Sequence, residues 1–183
     1  MKKILLSLVI ICFANNVFAE DNKSSQLDDL FYKLKNTKNY EIAKKIEKKI
    51  WNLWTTHPDE KSLTDLLAKG SDYMSQNQLT SAHNVFSKVI ELDPNWAEGW
   101  NKRATVLYMM GEFEKSQNDI DEVLKLEKRH FGALAGQGLV NIKLENYEKA
   151  IMSYEEAIKI YPSMNSPKIM IEQLKELIQK QSI

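Results

Sequence analysis

Three consecutive blocks of 34 residues, Leu63–Trp96, Ala97–His130 and Phe131–Met164, carry one pattern of residue sizes. The fourth places hold Leu66, Trp100 and Leu134, and the eighth hold Gly70, Ala104 and Gly138, all small. The twentieth hold Ala82, Ser116 and Ala150, small again, and the twenty-fourth hold Phe86, Ile120 and Tyr154. Spacings of three and four return to the same helical face, so places four, eight and eleven form one stripe of a first helix. Places twenty, twenty-four and twenty-seven form the matching stripe of a second helix. Small residues at eight and twenty let the paired helices approach, while Phe86, Tyr154 or Trp100 fills the adjacent space. Asn77, Gly111 and, one place later, Asn146 supply the turn, being types that tolerate a left-handed backbone. Leu79, Phe113 and Tyr147 anchor the second helix, and Pro94 and Pro162 end it. A pair of helices cannot bury such stripes alone, so the copies must stack.

This alternation at a period of 34 residues resembles the tetratricopeptide repeat (TPR) family. The resemblance implies an all-α, right-handed solenoid of helical hairpins, with residues 63–96, 97–130 and 131–164 as three clear repeats. Residues 20–62 read as a degenerate N-terminal helical pair and residues 165–183 as a capping helix, nine helices in all with no strand. Lys128 stands where a junction proline is expected, which predicts a more continuous turn there. Asn141 replaces a large apolar residue, so it should hydrogen-bond locally or face a polar feature. Upstream, Ile42, Ile46, Ile50 and Trp54 make an apolar stripe opposite Lys44, Lys45, Lys48 and Lys49. That stripe is expected to pack on the first clear repeat and cover the end of the stack; lying on an anionic membrane is the other reading. In the last helix Ile169, Leu174, Leu177 and Ile178 are expected to cap the stack, with Lys168, Glu172 and Lys175 outward.

At the N-terminus, Lys2 and Lys3 precede an apolar run from Ile4 to Ala14, and Val17 and Ala19 put small residues before Glu20. The pattern predicts a secretory signal peptide over residues 1–19 and, with its short Met-Lys-Lys start, a periplasmic address. The run falls short of the roughly 20 residues a bilayer span requires, so no stable span is expected after cleavage. Cleavage also removes Cys12, the only cysteine, and with it disulfides, thiolate catalysis and Cys-zinc sites. With 25 basic and 25 acidic residues, no global field draws the chain to nucleic acid.

Catalytic chemistry has no visible residues. His57, His83 and His130 are the only histidines, and none has a metal-ligand partner at helical spacing in a recognised motif. The glycines of FGALAGQG lie inside a predicted helix rather than between strand and helix, so helix packing explains them better than phosphate binding. Asp119/Asp121 and Glu155/Glu156 are expected on solvated faces. No nucleophile, base or metal set assembles, so no enzyme activity, metal or cofactor is expected.

In the TPR family the first helices line a concave groove that holds an extended peptide or a partner helix. By that resemblance Leu67, Met74, Asn101, Thr105, Tyr108, Leu139 and Ile142 face the groove. Asn101, able to pair with peptide backbone, and Tyr108, an aromatic anchor, are the best contact candidates. Members that hold a C-terminal carboxylate use Lys, Arg and Asn side chains. Leu67, Ser71, Gly132 and Gly136 stand at most of those places, with only Lys102 basic, so such a clamp is not expected. If the N-terminal helices fold inward, they cover these residues instead. At the junctions Trp96 and Phe131 are expected to wedge between repeats, while Arg103, Arg129 and His130 gather positive charge along an edge that would accept an acidic segment. The chain is similar to exported bacterial TPR proteins of unestablished function. The expected function is a non-catalytic exported scaffold that binds a protein or peptide, in envelope assembly or maintenance. The alternative is an accessory subunit with a glycan or lipid ligand at the envelope.

Overall fold

The computed structural model describes residues 23–181, so the expected signal peptide and its cleavage site lie outside the described residues. Helix α1 covers 23–36 and is followed by α2 (Tyr40–Thr55), α3 (Lys61–Ser75), α4 (Leu79–Leu92) and α5 (Ala97–Met109). Then come α6 (Phe113–Leu126), α7 (Phe131–Lys143), α8 (Tyr147–Ile160) and α9 (Asn165–Gln181). These are the nine helices among the described residues, which contain no strand. From α3 to α9 each helix packs chiefly on its neighbours in sequence, the arrangement of a stacked solenoid.

Each hairpin turn is the same device. Asn77 (φ 58°), Gly111 (φ 80°) and Glu145 (φ 60°) take the left-handed conformation. The next amides reach back to the carbonyls of Tyr73, Leu107 and Asn141 at 2.9, 2.9 and 2.8 Å. That bond, with a second from the left-handed residue itself, is a Schellman motif closing the first helix. The third left-handed residue is therefore Glu145, not the neighbouring Asn146: the 34-residue register holds even where the residue type suits it poorly. The junctions between repeats are equally uniform. Trp96, His130 and Met164 donate their amides to Asp93, Glu127 and Tyr161. Glu127, which precedes Lys128, has the same extended backbone (φ −139°, ψ 95°) as Asp93 before Pro94 (φ −142°, ψ 94°). The expected continuous turn at Lys128 does not form, because the junction geometry is set by packing and not by the proline.

Inside the repeats, the small residues do what their size suggests. A Cβ on Gly70 would lie 2.5 Å from the Phe86 ring, and one on Gly138 would lie 2.5 Å from the Tyr154 ring. Both rings are buried. In the middle repeat Ser116 takes the close approach and donates its hydroxyl to the Ala104 carbonyl at 2.8 Å. Trp100 is only half-buried, with its indole N–H on the Pro94 carbonyl, so the expected filler at that place is partly on the surface. Asn141 donates to the Gln137 carbonyl (2.9 Å) and toward Gln117 (3.4 Å), as a polar residue at a buried place requires. At the C-terminal end the capping stripe is Pro167, Ile171 and Leu174. Ile169 and Leu177 are exposed instead, because the helix starts at Asn165 and presents its i+3/i+4 row from Pro167.

The N-terminal hairpin departs most from expectation. Its apolar stripe packs on the third repeat, and it meets the first clear repeat where the Trp54 carbonyl accepts from the Trp96 indole. Ile46, Ile50 and Trp54 of α2, with Leu27, Phe31 and Leu34 of α1, share one buried cluster with Phe131 and Tyr161. Phe131 opens α7 and Tyr161 follows α8, so the hairpin crosses the stack to the third repeat and meets α5 on the way. Four aromatic rings (Phe31, Trp51, Trp54 and Phe131) interlock there at centroid distances of 5.1–6.5 Å. With Trp51 and Trp54 on α2, the hairpin finds its largest apolar counterpart there, and burial of large aromatics outweighs end-covering.

Candidate functional site

The candidate site is the face formed by α3, α5 and α7, and it divides into two parts. One part is closed by the hairpin. Trp54 stacks on His130 at 3.9 Å with its plane tilted by 8°, and accepts from the Trp96 indole N–H through its own carbonyl at 2.8 Å. Trp51 sits over Gly132, where a Cβ would lie 2.6 Å from the indole. Two glycines of the FGALAGQG segment thus have packing partners, Trp51 for Gly132 and Tyr154 for Gly138, within a helix; Gly136 meets only an ordinary contact with Ile120.

A buried polar knot lies beneath these tryptophans. His130, 0% exposed, caps α7: its Nδ1 accepts the Ala133 amide at 3.0 Å. The ring proton is therefore on Nε2, which faces Glu98 Oε2 at 3.2 Å, a tautomer fixed by the hydrogen-bond network. Glu98 also accepts from Asn101 at 3.1 Å and lies 3.4 Å from Lys102. Burial pushes the Glu98 carboxyl up, but the bonds to His130 and Asn101 and the Lys102 charge together outweigh it and hold the group below the usual carboxylate range.

The second part is open. Thr105 and Leu139 are exposed and Tyr108 half-buried. With Asn101, Gly132 and Gly136 they line a cavity of about 80 Å³ between α5 and α7. Tyr108 packs its ring on Phe113 at 5.5 Å. Tyr154, near enough to feel Tyr108, keeps a buried hydroxyl without a partner among the described residues; burial, then Tyr108, pushes its pKa up to about 12.

Of the seven residues expected on the groove, four gather around this cavity: Asn101, Thr105, Tyr108 and Leu139. Asn101 is buried and spent on Glu98. Leu67 is a core residue, packed in one cluster with Val106 of the next first helix. Met74 and Ile142 are half-buried against the clusters of the first and third repeats. The expected basic edge does not form. Arg103 makes a two-pronged bond to Asp119 (2.7 and 2.8 Å) and reaches Ser87, so Asp119 is buried and not on a solvated face. Arg129 is taken by Glu127 and Asp28. His130 lies in the knot. Sequence spacing missed these carboxylates because Asp119 and Asp28 arrive from other helices. What reasoning from the repeat did not assign was Glu98 as a buried charge; its signal was an acidic residue two places after the junction aromatic Trp96. Among the described residues no group of three or more His, Cys, Asp or Glu is placed to hold a metal, and no helix is long and apolar enough to cross a membrane.

A family profile described as TPR repeat matches residues 70–111, and one described as tetratricopeptide repeat matches residues 101–165. A TPR repeat-containing protein of Rhizobium etli is 32% identical over 168 residues, covering 88% of this chain and 81% of that protein. The chain belongs to the tetratricopeptide repeat family. Other TPR relatives are far longer: the match to Hsp70-Hsp90 organizing protein 1 of Glycine max, 23% identical, covers 57% of this chain and 18% of that one. Among solved TPR structures, the first TPR of Spaghetti bound to an HSP90 peptide superposes with a TM-score of 0.64 at 19% identity, over 66% of this chain and 96% of that one. MamA superposes with a TM-score of 0.60 at 23% identity, over 75% and 77%. At these identities the structures establish the TPR solenoid fold.

Proposed function

We propose that this TPR protein is a non-catalytic scaffold, exported to the cell envelope, that holds an extended segment of a partner protein on the open part of its concave face. The observation that carries the reading is the cavity between α5 and α7, flanked by exposed Thr105 and Leu139 and by the Tyr108 ring. An apolar dent with a few polar groups at its rim suits one side chain of a peptide, with rim hydroxyls for its backbone. Similar TPR domains have been solved with peptides, among them the first TPR of Spaghetti with an HSP90 peptide and the second TPR domain of human RPAP3 with an HSP70 peptide. An acidic tail does not suit this site: Lys102 is held by Glu98 and lies over Trp51. The hairpin limits the segment to the far turns of α5 and α7, which favours a short apolar stretch.

A photo-crosslinking residue placed at Leu139 or Thr105 in cells should give discrete adducts that Tyr108→Ala abolishes, while the same residue at exposed Met152 on α8 should give none. Equal labelling from Leu139 and Met152 would overturn the groove assignment. Export is tested separately by intact mass: the mature chain should begin at Glu20.

A further inference from the structure

We propose that the outward face of the α1–α2 hairpin docks on an anionic phospholipid surface. Charge is divided unevenly along the chain. Residues 23–57 carry eight lysines against four carboxylates, a net of +4, while residues 58–183 carry 15 basic against 19 acidic, a net of −4. Three of the four hairpin carboxylates are already engaged: Asp28 with Arg129, Asp29 with Lys33, and Glu47 with Lys44 and the Tyr161 hydroxyl. Lys45, Lys48 and Lys49 have no acidic partner among the described residues and line a trough of about 720 Å³ between the two helices; the one carboxylate lining it, Asp29, is paired with Lys33. Leu30 and Leu53 form its apolar floor. Ile42, 49% exposed, extends that floor along α2, since places 42, 45, 49 and 53 share one edge of a helix.

The layout separates lipid from other polyanions. Lysines are flexible, strongly hydrated point charges, suited to a diffuse layer of phosphates and not to directed carboxylate recognition. An apolar trough between them receives glycerol and upper acyl carbons while the amines stay at the phosphates. The opposite, buried stripe of α2 remains on Phe131 and Tyr161, so docking requires no unfolding. Each lysine near an anionic bilayer raises partitioning about fivefold, so three together account for a factor on the order of a hundred.

The test measures binding of the full chain to phosphatidylcholine vesicles with and without about one phosphatidylglycerol in three, at about 0.1 M salt. The readout is the ratio between anionic and neutral vesicles compared between parent and variants, so any contribution of Lys2, Lys3 and the apolar run at residues 4–14, common to all, cancels. The parent should favour anionic vesicles by on the order of a hundredfold, and near-molar salt should remove the preference. Lys45→Gln/Lys48→Gln/Lys49→Gln should lose it with an unchanged melt, whereas Lys128→Gln/Lys143→Gln/Lys168→Gln, the same change in net charge, should keep it. Ile42→Ser should weaken it several-fold. Equal binding to both vesicles, equal loss in the two triple variants, or capture of polyglutamate or DNA in place of vesicles would overturn the proposal.

Discussion

Helix α7 carries three glycines on one backbone, and the structure sets three different neighbours against them. Replacing any of them by Ala gives the same backbone gain, about 0.5–1 kcal/mol, because a helical Gly loses more freedom on folding. The neighbour then decides the sign. At Gly136 a Cβ would meet Ile120 at 3.7 Å, an ordinary contact, so Gly136→Ala should be stabilised by that gain. At Gly138 the Cβ would meet three atoms of the Tyr154 ring at 2.5–2.8 Å. The buried ring must retreat by about 1 Å to reach normal carbon separations. Overpacking of this kind costs about 1–3 kcal/mol, so Gly138→Ala should show a net loss of about 1–2 kcal/mol. In a domain of this size each kcal/mol moves Tm by about 2–4 °C. Thermal melts should therefore place Gly136→Ala above the parent and Gly138→Ala below it, separated by roughly 3–12 °C. Comparing two changes in one helix cancels the unfolded-state contribution. A Gly138→Ala variant that melts as high as Gly136→Ala would refute the register of α7 against α8.

Other outcomes follow from single contacts. Glu145→Gly should gain about 1 kcal/mol in urea unfolding, since a left-handed backbone costs a side-chain-bearing residue roughly that much. Phe131→Ala should lose about 3–5 kcal/mol as a large-to-small core change, whereas half-buried Trp100→Ala should lose clearly less; equal losses would contradict the hairpin docking. Glu98 has its folded pKa depressed, so its stabilisation is present above the ordinary carboxyl value near 4.5 and is lost as pH falls below it. Stability measured across that window should fall in the parent and flatten in Glu98→Gln.

The repeat was legible because size alternation is a local property: Gly70, Gly138 and the Ser116–Ala104 pair each meet a partner from their own hairpin. The left-handed turn was legible too, except that residue type pointed to Asn146 while packing put Glu145 there. The hairpin's seat was not legible. An amphipathic stripe says that α2 must bury Ile46, Ile50 and Trp54, and says nothing of which surface receives them. The knot at Glu98 was hidden for the same reason, since its partner His130 comes from the next repeat and its cover from α2. At the concave face the structure brings Asn101, Thr105, Tyr108 and Leu139 around one cavity, with Asn101 turned into the buried bond to Glu98. Helical spacing failed at Leu67, where the neighbouring first helix approaches closely enough to make a groove place into core.

Because α1 and α2 reach Arg129 and Tyr161, contacts span 101 and 114 residues in an architecture whose other contacts are mostly local. A simple repeat stack can nucleate anywhere and grow by nearest neighbours. Here the α1–α2 hairpin cannot take its seat until the third repeat has been made. At about 5–20 residues per second, Phe31, Trp51 and Trp54 wait several seconds for Phe131 and Tyr161 to be made. Closing so long a loop slows folding, and during that interval a stripe of aromatic side chains is available to other chains. Once closed, the loop joins the N-terminal hairpin to the third repeat through one aromatic cluster, so the hairpin and the third repeat are tied together while α9 is held through a separate cluster.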